Sequence, residues 1–345
     1  MKKRIVFTGG GTLGHVMPNL YLIDDLKSKN IDISYVGSSG IEANMVRASK
    51  VDFIEIPAVK LVRGKILKNL KIPFVLVGAV FKARKVLKSN RPNLIFSKGG
   101  YVSLPVCIAA RMLKIPIMAH ESDYTFGLAN KLILKLCSKM CVNFEHLEKT
   151  NKKIIYTGPI FSKEFDSKER SDLAIDISKP TLLIVGGSLG SKKINELIYA
   201  VLRDLMARYN VIQITGKGNK KFDSFDNYFA YESTDKMVRL YNMADFVIGR
   251  SGAGVSAECF YKKIPMLLIP LEKATRGDQL QNAKYYENLG VAKILHEEAL
   301  TPTNLLNEIS IFYNNIAQYR ARYQNIKHTN GKTKVLELIN NYINE

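Results

Sequence analysis

Short runs rich in Val, Ile, Leu and Phe alternate along this chain with stretches whose apolar residues recur every three to four positions. The pattern predicts strands at 4–8, 33–36, 53–56, 93–96 and 117–119, with helices over 18–29, near 74–88 and over 103–112. A polar, charged stretch at 161–180 interrupts it. Strands are then predicted at 181–185, 211–214, 246–248 and 265–269, and helices over 192–208, near 235–243, over 255–261 and over 278–289. Such alternation implies parallel sheets with crossover helices. Each half opens alike, with a strand running into glycines at 6–14 and again at 183–190. The expected fold is therefore α/β, two Rossmann-like doubly wound parallel-sheet domains facing across a cleft at the carboxyl ends of their strands, where such sheets bind ligands. The domains are expected at 1–157 and 158–331, with a closing helix at about 332–345 able to pack back on the first.

Composition narrows this little. A chain of 345 residues, 46% hydrophobic and 24% charged, has the make-up of folded domains rather than of disordered or fibrous chains. Its longest apolar run, residues 72–81, is half of the roughly 20 residues that span a bilayer. The start lacks a signal peptide's apolar core, so the cytosol or its membrane face is expected. Four cysteines without Cys-x-x-Cys spacing are expected to be buried and reduced.

Charge says more. The net charge is +20, and residues 1–157 hold +16 of it; between Ile56 and His120 there is no acidic residue at all. A nucleic acid, an anionic membrane and a merely soluble basic face are the three readings. No nucleic-acid reader motif is present, whereas between 60 and 91 Lys and Arg alternate with Leu, Ile, Phe and Val, as at a lipid interface. Membrane docking through this region leads, with no nucleic acid as partner.

Gly9, Gly11 and Gly14 satisfy Gly-x-Gly-x-x-Gly, but the end of the second strand offers Ser38, Ser39 and Gly40 in place of the acid that holds a dinucleotide's ribose, and Asp32 sits at that strand's beginning. In the second half, the loops Gly186-Gly-Ser-Leu-Gly190 and Arg250-Ser-Gly-Ala-Gly254 each open a helix, the latter carrying Glu258. Glycines there let backbone N–H groups approach a diphosphate, with a carboxylate one turn on for a ribose diol. Each loop alone serves equally as a packing turn; three at strand ends favour a nucleotide diphosphate. Neither an Asp-x-Asp pair nor histidines at metal-ligand spacing occur, so no metal and no cofactor is expected. Helix N-termini and cations, with Arg276 a candidate, would then stabilise the leaving diphosphate.

Several motifs in order, Thr8-Gly-Gly-Gly-Thr-Leu-Gly-His15, Ser97-Lys-Gly-Gly-Tyr-Val-Ser103, His120-Glu-Ser-Asp123, Gly186 to Gly190 with Asn195, Arg250-Ser-Gly252 with Glu258, and Arg276-Gly-Asp-Gln279, span roughly 8–290. Together they resemble the MurG family of peptidoglycan glycosyltransferases (glycosyltransferase family 28). The resemblance implies a GT-B fold and transfer of N-acetylglucosamine from UDP-N-acetylglucosamine to undecaprenyl-linked muramyl pentapeptide (lipid I to lipid II), by a peripheral protein on the cytoplasmic side of the cell membrane. It places Ser188, Thr234, Ala253, Gly254, Val255, Glu258 and Gln279 on the donor, together with Asp123 and with Lys163, which stands next to Ser162 where relatives have arginine. It places Gly11, Thr12, Leu13, Gly14, Tyr101 and Asn195 on the acceptor side. His15 is the first choice of base and Glu121 the second. A transferase for another lipid-linked acceptor and a non-catalytic basic binding protein are the alternatives.

Overall fold

Strands that are apolar on both faces need cover on both faces. The computed structural model describes residues 2–58, 72–187, 189–272 and 277–344, and Met1–Ser162 with Thr329–Glu345 makes one unit of the chain, Lys163–His328 another. The first unit contains β1 (Lys3–Thr8), β2 (Ile31–Gly37), β3 (Asp52–Glu55), β4 (Leu94–Ser97), β5 (Ile117–Glu121), β6 (Lys139–Val142) and β7 (Ile154–Tyr156). They form one parallel sheet in the order β3-β2-β1-β4-β5-β6-β7. Phe7 of β1 is flanked in register by Tyr35 and Phe96, and all three are fully buried. The order of connection reverses between β1 and β4, so the loops that follow these two strands emerge side by side.

Helix Lys332–Asn344 belongs to this first unit. Val335, Ile339 and Ile343, spaced four apart, join Ile5, Phe7, Leu22 and Leu26 in the core, and Lys332 pairs with Asp25 at 2.7 Å. Gly331 makes the approach possible, since a Cβ there would lie 2.5 Å from the Gly158 carbonyl oxygen.

The second unit repeats the plan with β8 (Thr181–Val185), β9 (Asn210–Ile214), β10 (Tyr228–Tyr231), β11 (Phe246–Gly249), β12 (Met266–Leu268) and β13 (Ala292–Ile294). Its parallel order, β10-β9-β8-β11-β12-β13, again reverses after the first strand. Helices Lys192–Ala200 and Pro302–Asn314 supply Ile194, Ile198, Leu305 and Ile309 to its core. All four cysteines are buried and unpaired.

Two helices differ from the sequence pattern. The first begins at Leu13, not at Pro18. The proline removes only the bond to the Gly14 carbonyl, in the helix's first turns. The stretch 192–208 is two helices, interrupted at Val201, whose backbone (φ −117°, ψ 12°) leaves helical geometry. Helix Ile72–Asn90 buries Ala79, Ala83 and Leu87 and exposes the opposite stripe, Phe74, Val77 and Phe81 followed by Lys85 and Lys88. Phe74 is 81% exposed and Phe81 64%. No helix among the described residues is long and apolar enough to cross a membrane. The cations at 60–71 lie outside the described residues.

Candidate active site

At the carboxyl end of β1 the chain turns through Gly9, Gly10 and Gly11 into helix Leu13–Lys27, and His15 stands in that helix's first turn. Its Nδ1 donates to the Gly10 carbonyl at 3.0 Å and lies 3.3 Å from the Thr12 hydroxyl. A carbonyl can only accept, so the neutral ring carries its proton on Nδ1 and presents Nε2 as acceptor. Nε2 has no partner among the described residues. Burial, and then the charge of Lys98, lower the His15 pKa below its ordinary value, against the carboxylates of Asp123 and Glu42. The imidazole is thus held as a neutral base at neutral pH.

Side chains fill the space around this loop. Glu42, from helix Ile41–Ala48, is fully buried and accepts from Gly11 N at 3.2 Å, from Ser38 N at 3.1 Å and from the Ser38 hydroxyl. The carboxylate that a dinucleotide's ribose would need is therefore spent on the protein's own loop, while Asp32 pairs with Lys2 at the far end of β2. Behind the loop, Tyr35 donates to Gly9 O at 2.9 Å and Asn19 to Thr8 O at 3.2 Å. The Tyr101 ring lies against Gly11, where a Cβ would come within 2.7 Å of it.

Glu121, at the end of β5, accepts from Ser122 N, Asp123 N, Gly127 N and Asn130 Nδ2 at 2.8–3.0 Å. Four donors on a 3% exposed carboxylate make it the brace of its own turn. That turn presents the half-buried Asp123. Thr12, Leu13 and Gly14 close the arc on the His15 side.

In the second unit, the corresponding glycines enclose less. Gly186 and Gly190 are packing positions, where a Cβ would meet Ser191 N at 2.5 Å and Thr215 O at 2.0 Å. Among the described residues, nothing lies within 4 Å of a Cβ on Gly187, Gly252 or Gly254. Helix Ala253–Tyr261 starts at Gly252 with no side-chain cap, so the N–H groups of Ala253, Gly254 and Val255 form an uncapped, partly positive helix end facing open space. One turn on, Glu258 accepts from Tyr241 OH at 2.7 Å, and its second oxygen takes no hydrogen bond among the described residues. Burial raises the Glu258 pKa, with Tyr241 opposing.

Gln279 is bound through Oε1 to Leu271 N at 2.9 Å, and its carbonyl accepts from Ser251 Oγ at 2.8 Å, so it is fixed beside the 250–254 loop. Arg250 ties that loop to the first one by donating to Ser191 Oγ at 2.9 Å and to Glu297 at 2.7 Å. Thr234 lies after β10, its hydroxyl accepting from Lys236 N at 3.0 Å. Asn195 belongs to this unit too, buried and spent on Thr215 O and Gln213. Lys163 is exposed at the unit's first residue. Ser188 and Arg276 lie outside the described residues.

The structure thus gathers Gly11, Thr12, Leu13, Gly14, His15, Tyr101, Glu121 and Asp123 in the first unit, and Ala253, Gly254, Val255, Glu258 and Gln279 in the second. Sequence reasoning missed Glu42, Lys98 and Tyr241. The first two carry a legible signal, a lone acid or base next to glycines at a strand end; Tyr241 looks like any core tyrosine.

Comparisons with known proteins bear on the family of both units. Residues 5–142 match the glycosyltransferase family 28 N-terminal domain and residues 181–339 its C-terminal domain. The UDP-N-acetylglucosamine–N-acetylmuramyl-(pentapeptide) pyrophosphoryl-undecaprenol N-acetylglucosamine transferase of Clostridium botulinum (strain Kyoto / Type A2) is 40% identical, over 99% of each chain. The transferase of the same name from Clostridium novyi (strain NT) is 39% identical over the same share. Among solved structures, MurG of Acinetobacter baumannii superposes with a TM-score of 0.77 at 25% identity, covering 98% of this chain and 99% of that one.

Proposed function

The chain belongs to glycosyltransferase family 28, and from that premise we infer that it moves N-acetylglucosamine from UDP-N-acetylglucosamine to the C4 hydroxyl of undecaprenyl-pyrophosphoryl N-acetylmuramyl pentapeptide, a step of peptidoglycan synthesis. The observation that carries the reading is the full-length relationship to transferases of that name, supported by an imidazole at the end of β1 and an uncapped helix end after β11.

The second unit holds the donor. The uncapped N–H groups of Ala253 to Val255 take the diphosphate, Glu258 the ribose diol, and Gln279 the sugar hydroxyls, with the backbone near Thr234 beside the uracil. Ser188 and Lys163 complete the phosphate contacts. In the first unit, the loop from Gly11 to Gly14 and Tyr101 hold the acceptor, and Asp123 receives hydrogen bonds from the donor's sugar hydroxyls.

The reaction is a single inverting displacement. The acceptor oxygen forms a bond to the anomeric carbon while the bond from that carbon to the diphosphate breaks. The hydroxyl proton passes to His15 Nε2, whose acceptor state the Gly10 carbonyl fixes. Negative charge growing on UDP is met by the helix end at 253–255 and not by a metal ion.

The acceptor's lipid stays in the membrane, and helix Ile72–Asn90 supplies a surface for it. Phe74, Val77 and Phe81 enter the headgroup boundary while Lys82, Lys85 and Lys88, all exposed, meet anionic headgroups. The protein accordingly works as a peripheral protein on the cytoplasmic face. Transfer of radiolabelled N-acetylglucosamine from UDP to lipid-linked muramyl pentapeptide, with and without chelator, tests the reading. Labelled lipid-linked disaccharide is expected in both. No product would overturn the assignment, and loss in chelator alone would overturn the metal-free step.

A further inference from the structure

Lys98 directly follows β4 and is fully buried. Its backbone N donates to Thr8 O at 2.9 Å, which fixes its Cα beside the first glycine loop. Its Nζ donates to Ser122 Oγ, so the ammonium spans from β4 to the turn that holds Glu121 and Asp123. Lysine is almost never fully buried unless paired, and a methionine of equal length would fill this space without desolvating a charge. Packing alone does not account for the residue. Its surroundings do. Carboxylates of Glu121 and Asp123 act on it from one side, and its charge acts on the rings of His15 and His120.

We propose that Lys98 is the positioning cation of the acceptor half-site, holding Ser122 and Asp123 in place and keeping the His15 imidazole in its neutral, proton-accepting form. The proposal rests on His15 as base and adds what tunes it. The groups facing His15 are the Gly10 carbonyl and Thr12 hydroxyl of its own loop, Lys98 after β4, Asp123 after β5 and Glu42 from helix Ile41–Ala48. Lys98 is the one cation among them, and it opposes two carboxylates that would otherwise draw a proton onto the ring. Burial lowers the Lys98 pKa to about 8, with Glu121 and Asp123 resisting, so at neutral pH it is still mainly charged.

The signs follow. Removing the charge in Lys98→Met raises the His15 pKa, so the acid limb of kcat/KM moves to higher pH. Lys98→Arg, which stays charged, leaves the acid limb in place.

The test is NMR titration of isotope-labelled histidines in the full chain, with His15→Gln identifying the His15 signal, alongside the pH profile of sugar transfer. In Lys98→Met the His15 pKa is expected to rise by about half a pH unit or more, with roughly threefold less neutral ring on the acid side. A His15 titration unchanged in Lys98→Met overturns the proposal. If that variant does not fold, Lys98→Gln in the same titration decides: a His15 pKa unchanged there is equally fatal. Should His15→Gln keep full turnover, the reading of His15 as base fails instead, and the NMR shift still reports whether Lys98 controls the ring.

Discussion

The two sheets share one connection order, yet the glycine turn after β1 and the one after β11 are built in different ways. Around the turns after β1 and β4 most glycines are closed in: a Cβ on Gly10 would sit 2.3 Å from the Glu42 carboxylate, on Gly11 2.7 Å from Tyr101, on Gly99 2.7 Å from Asn130, and on Gly100 2.4 Å from the Gly10 carbonyl, with Gly14 alone open apart from Thr12 Oγ1 at 3.8 Å. After β8, Gly186 and Gly190 are packed as tightly, whereas Gly187 there, and Gly252 and Gly254 after β11, have no atom of the described residues within 4 Å of a Cβ. Glycine in the first case lets the protein's own side chains close in, and in the second leaves backbone N–H groups approachable from outside. The filled loop suits a site that must aim one imidazole. The open loop suits a site that must admit a diphosphate.

The sharpest way to break this contrast is at the imidazole. His15→Ala should lower kcat by about 10²–10⁴-fold, the usual value of a general base, with UDP affinity unchanged. The unaltered protein should lose kcat/KM as pH falls through the lowered His15 pKa, below its ordinary 6.5, because the protonated ring cannot accept; full rate well below that value would remove His15 from the chemistry. Next in size is Glu258→Ala, which should raise the donor KM roughly 10–100-fold, the equivalent of a charge-assisted hydrogen bond of about 1.5–3 kcal/mol, while kcat changes less. Steady-state kinetics separates the two.

A smaller and more discriminating pair is Gly254→Ala against Gly10→Ala. The methyl at 254 meets no protein atom, so stability should hold or rise by up to about 1 kcal/mol, while UDP binding weakens by about tenfold as the methyl enters the phosphate space. The methyl at 10 strikes a carboxylate already pinned by Ser38 and Gly11, and should cost about 1–3 kcal/mol of stability with UDP affinity intact. Thermal melts and calorimetry on both variants read all four numbers. Smallest is the surface effect: Lys82→Ala or Lys85→Ala should each weaken binding to anionic vesicles by about 1 kcal/mol, leaving UDP affinity untouched.

Much of this was legible in the sequence because it rests on local pattern. The alternation of apolar runs gives the central strands β1, β4, β8 and β11, and the glycines after them mark the ligand ends of both sheets. What escaped is long-range or short. β6, β7, β10 and β13 are short strands toward the sheet edges, where Lys139, Tyr156, Tyr228 and Lys293 break the continuous apolar run that marks β4 and β11. Helix Ile41–Ala48 carries Glu42, whose partner Gly11 lies 31 residues away. The saturation of Glu121 is equally invisible in a string, since Asn130 and Gly127 reach it only once the turn is folded. Asn195 reads as a polar residue after a phosphate loop, yet the fold spends its amide on Thr215 and Gln213.

Titrating UDP calorimetrically into the unaltered chain, His15→Ala and Glu258→Ala tests the division of labour most directly. The expected result is the same affinity for the first two and at least tenfold weaker binding for the third. Weakened binding in His15→Ala, or none lost in Glu258→Ala, would contradict the claim that the open loop takes the nucleotide and the filled loop takes the proton.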